Sequence, residues 1–323
     1  MKENLIKIMS KFKEKKVLVV GDIILDKYVF GDVSRVSPEA PIPLVDVGWE
    51  NYVPGGAANA ANNLASLGVK VSIIGVIGED THAEILLNKL NSRKIRTDLL
   101  IKDANRRTIL KERVVANNQQ LLRIDYDVKD TINEEIEEEA IKKIKQIVPE
   151  IDSVIVSDYG KGLINKKVMD ELIRLCKDKN KYLVVDPKPE NKELYKGVNL
   201  ITPNYEEASQ MAEVFGKEED NINKVGNKLR EKFDSDLLIT RGPRGMILFS
   251  DEVKHFPTKA REVYDVSGAG DTVISILTLA LSSGANMEEA ITLANYAAGI
   301  VVNKFGTSTA TTIEIEKSMK NDK

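Results

Sequence analysis

Residues 15–26, "KKVLVVGDIILD", set an unbroken apolar run, Val17 to Val20, directly against Gly21, with the acids Asp22 and Asp26 close behind. A run without polar alternation is the pattern of a strand buried on both faces, with a functional loop at its carboxyl end. The chain around it repeats the pattern. "GGAANAANNLASLG" (55–68) is an alanine-rich helical segment closed by Gly68, followed by the strand "VSIIGVIG" (71–78) and by "THAEILLNKLNS" (81–92), which Thr81 can cap. After an acidic helix from about Asn133 to Val148 come strand "SVIVSDYG", helix "KKVMDELIRLCKDK", and strands "YLVVDPKP" and "NLITPN". Helices from about Tyr205 to Phe233, the hairpin-like "DLLITRGPRGMILFS" (236–250) and two apolar helices, near 272–283 and 287–303, complete the series. Such alternation predicts a doubly wound α/β fold: a mostly parallel sheet covered by helices on both faces.

Two stretches break the rhythm. "DVSRVSPEAPIPLVDVGWENYVP" (32–54) and "RRTILKERVVANNQQLLRIDYD" (106–127) are assigned to a small added sheet, the second alternating like exposed strands around an Asn-Asn turn. One catalytic domain over residues 1–323, with lid strands at roughly 27–54 and 104–126, is the expected organisation. In an α/β sheet, ligands bind beyond the carboxyl ends of the strands. Asp22 and Asp26, Asp158 and Lys161, Asp186 and Lys188, Asn204, and Thr240 with Arg241 all follow strands.

Composition narrows the chemistry. The 323 residues are 42% hydrophobic, enough for a core that needs neither metal nor disulfide. With 47 basic and 50 acidic residues the net charge is -3, so no global positive field draws the protein to nucleic acid or an anionic membrane. Cys176, the only cysteine, has no partner for a disulfide and suits a buried position in a reducing compartment. No window resembles a leader peptide or a membrane span, and a cytoplasmic location is expected. Neither GxxxxGK[ST] nor a GxGxxG after the first strand occurs. His82 and His255 are the only histidines, too few for a histidine-rich zinc centre.

The remaining chemistry concentrates in "YDVSGAGDTV" (264–273), where an acid stands among residues too small to pack. A Gly-Ala-Gly turn opening an apolar helix leaves backbone N–H groups unpaired and unobstructed, an anion hole. Asp271 beside it can take the proton of a hydroxyl while the amides stabilise a phosphoryl group arriving at the same oxygen; equally, an acid there favours the helix dipole. "TPNYEE" spaces Asn204 and Glu207 to organise the waters of a phosphate-bound Mg²⁺, or to cap a helix. In "TRGPRG", Thr240, Gly242 and Gly245 allow close approach of phosphates, or form a plain hairpin turn. "GGAAN" offers Gly55, Gly56 and Asn59 to a polyhydroxylated ligand.

The order of these motifs resembles the ribokinase-like, or PfkB, carbohydrate kinases. The two signature regions stand here as "PGGAANAANNLASLG" and "DVSGAGDTVISILTLAL", and the resemblance spans nearly the whole chain. It implies a ribokinase-like core with a β lid, ATP as cosubstrate, Asp271 as catalytic base, and Gly268, Ala269 and Gly270 as the anion hole. Asn204 and Glu207 then serve Mg²⁺ and phosphate, Thr240 to Gly245 line ATP, Asn295 in "LANYAAGIVVNKFGTST" contacts adenine, and Asp26, Gly55, Gly56 and Asn59 hold sugar hydroxyls. Whether a monovalent cation such as K⁺ assists the loop stays open.

Within that family "VVGDIILDKYVFGDVSRVSPEAPIPLVDV", "LLRIDYD", "SDYGKG", "VDPKP" and "GTST" are similar to the D-glycero-β-D-manno-heptose 7-phosphate kinases. This implies transfer of the γ-phosphoryl of ATP to the anomeric hydroxyl of heptose 7-phosphate, giving heptose 1,7-bisphosphate for nucleotide-activated heptose synthesis. Arg35, Arg123, Lys161 and Lys188 are the cations available to anchor the substrate's phosphate. Ser267 replaces the expected threonine and keeps the hydroxyl. Many relatives carry a second, nucleotide-attaching domain with an HxGH motif, which the two distant histidines cannot form, so the kinase step alone is expected. Open lid edges favour a homodimer.

Overall fold

The run at 17–20 lies inside an eight-stranded sheet, and its side chains divide by parity between two cores. Val17 and Val19 pack with one set of helices, Leu18 and Val20 with another. This period-two division across a strand buried on both faces is why the run shows no polar alternation. The structure, a computed structural model, describes residues 2–117, 119–128, 131–260 and 262–322.

In chain order the first half comprises α1 (Lys2–Ser10), β1 (Lys16–Gly21), β2 (Ile23–Val36), β3 (Pro43–Gly56), α2 (Ala57–Ser66), β4 (Lys70–Ile74), β5 (Val76–Gly78), α3 (Thr81–Ser92), β6 (Ile101–Asp103), β7 (Ile109–Ala116) and β8 (Gln119–Tyr126). There follow α4 (Glu134–Ile147), β9 (Ser153–Ser157), α5 (Lys166–Asp178), β10 (Tyr182–Asp186), β11 (Leu200–Ile201), α6 (Tyr205–Ala212) and α7 (Glu218–Phe233). Strands β12 (Asp236–Thr240), β13 (Met246–Phe249) and β14 (Val253–Phe256) then lead to α8 (Ala269–Ser282), α9 (Met287–Val301) and α10 (Thr312–Asn321).

The main sheet has the order β14-β13-β12-β11-β10-β9-β1-β4. It is parallel from β12 to β4, and β13 and β14 add an antiparallel edge. Helices α2, α3, α8 and α9 cover one face, and α4 to α7 the other. The chain turns from core to lid at Asp22, the single residue between β1 and β2. The lid is a four-stranded sheet ordered β3-β2-β7-β8. Its register sets Asp26 beside Lys111, Lys111 beside Asp125, and Arg113 between Tyr28 and Arg123, so these groups share one face. At the lid's outer part Phe30 stacks on Trp49 with 3.9 Å between centroids, and Tyr28 and Phe30 both reach Phe305 near the chain's end.

Several local expectations change. Helix α3 is capped by Asp80, not Thr81: the Asp80 carboxylate accepts the Ala83 amide at 2.8 Å, which places Thr81 one residue inside. "VSIIGVIG" is two strands, because Gly75 passes so close to Ile23 that a Cβ there would lie 2.2 Å from Ile23 Cγ1; β5 leaves the main sheet to pair with β6. Of the Asn-Asn turn, Asn117 has φ +50° and Asn118 is outside the described residues. Helices α1 and α10 complete the covering layer. Among the described residues no helix is long and apolar enough to cross a membrane.

Candidate active site

Asp271 lies in the first turn of α8, 4% exposed. The helix can begin there because Gly268 takes φ +77°, and a Cβ on it would lie 2.7 Å from the Asn59 amide nitrogen. The loop before it is fixed by Asp265, whose carboxylate accepts the amides of Ser267 and Gly306, each at 2.9 Å. The amides of Gly268, Gly270 and Asp271 find no acceptor among the described residues, whereas the Ala269 N–H donates to Val266 C=O at 3.2 Å. Ala269 is thus corrected from anion-hole donor to part of the turn that shapes the hole, because its N–H is already engaged.

Two donors hold the Asp271 carboxylate: Asn59 Nδ2 at 2.7 Å from Oδ2, and the Tyr159 hydroxyl at 3.3 Å from Oδ1. Burial pushes its pKa up to about 7, against the opposing pull of these two hydrogen bonds, and the nearby charge of Asp26 adds to the rise. A carboxylate poised there has the basicity wanted of a general base at neutral pH. Asn59, expected to grip sugar, turns its amide nitrogen toward Asp271. Tyr159 was not anticipated. Its signal in the sequence was its place in the loop after β9, where Asp22 accepts the amides of Tyr159 (2.8 Å) and Lys161 (3.0 Å). Burial first, then the charge of Asp22, pushes the neighbouring Asp158 up to about 6, while Asn191 and Tyr195 donate to it at 2.8 and 2.7 Å.

Facing Asp271 is the lid. Asp26 pairs with Arg113 at 2.5 Å, and Gly55 makes room for it, since a Cβ would fall 2.3 Å from Asp26 Oδ2. Gly56 turns the chain into α2 with φ +54°. Lys111, on the same face, has its ammonium 5.7 Å from the Tyr159 ring centroid and enters no ion pair among the described residues. Burial lowers its pKa, opposed by the charges of Asp125, Asp127 and Asp26. Of the cations named from the sequence, Lys161 bonds Asp127 at 2.8 Å. Lys188 lies within electrostatic reach of Glu207. Arg123 is held by Asp125 at 2.9 Å, on the outermost lid strand. Arg35 is 68% exposed near the distal end of β2, 4.0 Å from Asp46, nine residues along an extended strand from Asp26 and so about 30 Å away. The structure does not bring Arg35 to the cluster.

On the other side, Asn204 and Glu207 form a reciprocal capping box on α6 with both bonds at 2.9 Å. Burial raises Glu207, and burial with the charges of Glu207, Asp271 and Asp158 raises Asp186 well above the usual carboxylate range. These oxygen donors suit a hydrated Mg²⁺. No three acidic, histidine or cysteine side chains among the described residues converge on one point, so an ion here would keep water or phosphate ligands. Thr240, Gly242, Gly245 and Asn295 line a mostly apolar cleft of about 160 Å³ that ends at Ala269 and Gly270. Gly245 (φ +80°) passes the Phe256 carbonyl, which a Cβ would meet at 2.0 Å. The Asn295 amide is engaged by the backbone, donating to Pro257 C=O at 2.7 Å and accepting from Lys259 N–H at 3.2 Å; it anchors the cleft wall.

The chain is similar to "Bifunctional protein HldE" of Desulfatibacillum aliphaticivorans, 44% identical over 97% of this chain and 65% of that protein. It is also 41% identical to the HldE protein of Aliarcobacter butzleri, over 94% of this chain and 64% of that one. The chain thus spans less than two thirds of the length of these relatives. Among solved structures, Arabidopsis thaliana ribokinase complexed with ribose and ATP superposes with a TM-score of 0.75 at 19% identity, covering 95% of this chain and 99% of that one. Escherichia coli phosphofructokinase-2 in complex with potassium gives 0.77 at 19% identity, covering 95% and 98%. Residues 14–314 match the model of the pfkB family carbohydrate kinases, and the chain belongs to that family.

Proposed function

We propose that this carbohydrate kinase transfers the γ-phosphoryl group of ATP to the anomeric hydroxyl of D-glycero-D-manno-heptose 7-phosphate. The observation that carries the reading is the buried Asp271 carboxylate, held by Asn59 and Tyr159 beside unpaired helix N-terminal amides, with the Lys111 ammonium, in no direct ion pair among the described residues, over the Tyr159 ring. Asp125, Asp127 and Asp26 lie near that ammonium without a direct ion pair, so its donors stay free for a phosphorylated sugar. The motifs similar to heptose 7-phosphate kinases, and the 41–44% identity to HldE proteins, support the choice of sugar.

In this reading the lid, hinged at Asp22, closes over the acceptor and excludes water, with Asp26 and Gly55 aligning its hydroxyls. The hydroxyl oxygen attacks the γ-phosphorus, its proton passes to Asp271, and the bond to ADP breaks. Amides of Gly268, Gly270 and Asp271 stabilise the charge on the transferred group, and Lys188 adds a cation beside Glu207. Asp186 and Glu207, near Asn204, would hold a hydrated Mg²⁺, which would supply positive charge to the nucleotide phosphates. The cleft from Thr240 to Asn295 takes the nucleoside. A second copy of the chain pairs through the lid, where Leu122, Ile124 and Val47 are exposed.

ATP consumption with heptose 7-phosphate, fructose 6-phosphate, ribose and adenosine tests the reading, with ³¹P NMR locating the new phosphate. Preference for heptose 7-phosphate with an anomeric product is expected; faster turnover of ribose or adenosine overturns the choice of sugar.

A further inference from the structure

Helices α2 and α8 meet along a seam of buried polar groups: Asn59, Asn63 and Thr272 are all 2% exposed or less. The donors in this seam run one way. The Thr272 hydroxyl donates to Asn63 Oδ1 at 2.8 Å. Asn63 Nδ2 donates to the Asn59 carbonyl at 3.0 Å and lies 3.4 Å from Asn59 Oδ1. Asn59 Nδ2 in turn donates to Asp271 Oδ2 at 2.7 Å. The orientation of Asn63 follows from its partners, because a backbone carbonyl only accepts and the amide nitrogen must therefore face it.

That order constrains Asn59. Rotated by half a turn about its last bond, the Asn59 amide would offer its oxygen to Asp271 and accept the proton of the neutral carboxylic acid. It would then set its own NH₂ against that of Asn63, across the same 3.4 Å and with no acceptor between them. Two buried donors turned on each other forfeit hydrogen bonds that nothing replaces. We propose that Asn63 is a positioning residue that locks the Asn59 amide with its nitrogen toward Asp271 and so favours the ionised form of the base. The inference rests on the assignment of Asp271 as that base. Burial lifts the Asp271 carboxyl to about 7, so at neutral pH a population of neutral acid exists for a rotated Asn59 to capture. The other groups that face this carboxyl are Asp26 of the lid, Asp186 at the end of β10 and Tyr159 after β9, and a change at Asn63 leaves each of them in place.

Asn63→Leu tests the proposal on the whole chain, with ATP and the fastest acceptor among heptose 7-phosphate, fructose 6-phosphate, ribose and adenosine. The substitution keeps a side chain of similar size, the Thr272 hydroxyl still reaches the Gly268 carbonyl at 3.2 Å, and the Asn59 carbonyl keeps its helical N–H. The kcat/KM profile is expected to retain its alkaline plateau while the acidic limb moves upward, with values below the limb roughly two- to tenfold lower. Thr272→Val, which removes only the hydroxyl that fixes the Asn63 amide, moves the limb the same way by less, and it carries the test if thermal unfolding shows that Asn63→Leu does not fold. In an Asn59→Ala chain, Asn63→Leu produces no further shift. An unmoved limb, an equal loss at every pH, or a further shift in the Asn59→Ala chain overturns the inference. Asp271→Asn separates it from the reading beneath: retained turnover there removes the base assignment itself, whereas lost turnover with an unmoved Asn63→Leu limb removes only the role of Asn63.

Discussion

Asp271→Asn is expected to make the protein more stable above neutral pH while turnover falls by orders of magnitude. The folded carboxyl titrates at about 7, against 3.8 for an unperturbed one, a gap of about 3 in pKa. The folded state therefore holds the proton more tightly than the unfolded chain. Stability from this group is complete below the unfolded value and is lost as pH rises toward the folded one. At 1.36 kcal/mol per pKa unit the ionised form costs roughly 4 kcal/mol. An amide removes that cost but offers one acceptor oxygen in place of two, so one of the bonds from Asn59 and Tyr159 is rearranged at about 1 kcal/mol. A net gain of roughly 2–3 kcal/mol remains above pH ~7 and vanishes near pH ~4, equivalent to several degrees in Tm for a domain of this size. Thermal unfolding of both chains across this range reads the difference directly. A variant no more stable than its parent at pH ~8.5, or one whose advantage does not change with pH, refutes the desolvated carboxylate on which the base assignment rests.

The acidic limb of kcat/KM should fall near pH 7, and Asn59→Ala or Tyr159→Phe should move it upward, since each removes a hydrogen bond that favours the ionised carboxylate. Activity recovered at alkaline pH marks that role; an equal loss at every pH contradicts it. Lys111→Gln should raise KM for a phosphorylated acceptor about tenfold or more with KM for ATP unchanged, whereas Arg35→Gln in the isolated protomer should do little; the reverse ranking refutes the placement of the anchor. Sedimentation at micromolar concentration should show a dimer that Leu122→Lys dissociates, and a monomeric parent chain excludes the lid interface.

The core was legible because its strands carry side chains into two apolar layers at once: "KKVLVVG" and "SVIVSDYG" admit few other readings. The lid was legible for the opposite reason, its alternation of charged and apolar residues. What period alone could not supply was the direction of individual side chains across the cleft. Asn59 reads as a sugar ligand until α2 and α8 are brought together, and only then does its amide meet Asp271. Arg35 reads as an anchor until β2 is extended past the cleft, while Lys111 and Tyr159 gain meaning from a strand register and a loop that no local spacing encodes. Asn204 and Glu207 cap α6, and the Glu207 carboxylate also lies within electrostatic reach of Asp186. The Asn295 amide, by contrast, is consumed by the backbone of 257–259.

The stack of Phe30 on Trp49 gives the lid its own spectroscopic label. Trp49 is the sole tryptophan in the chain, so every photon of indole emission originates on the four-stranded lid sheet. Stopped-flow mixing can then time lid movement against phosphoryl transfer with no dye attached and no residue altered.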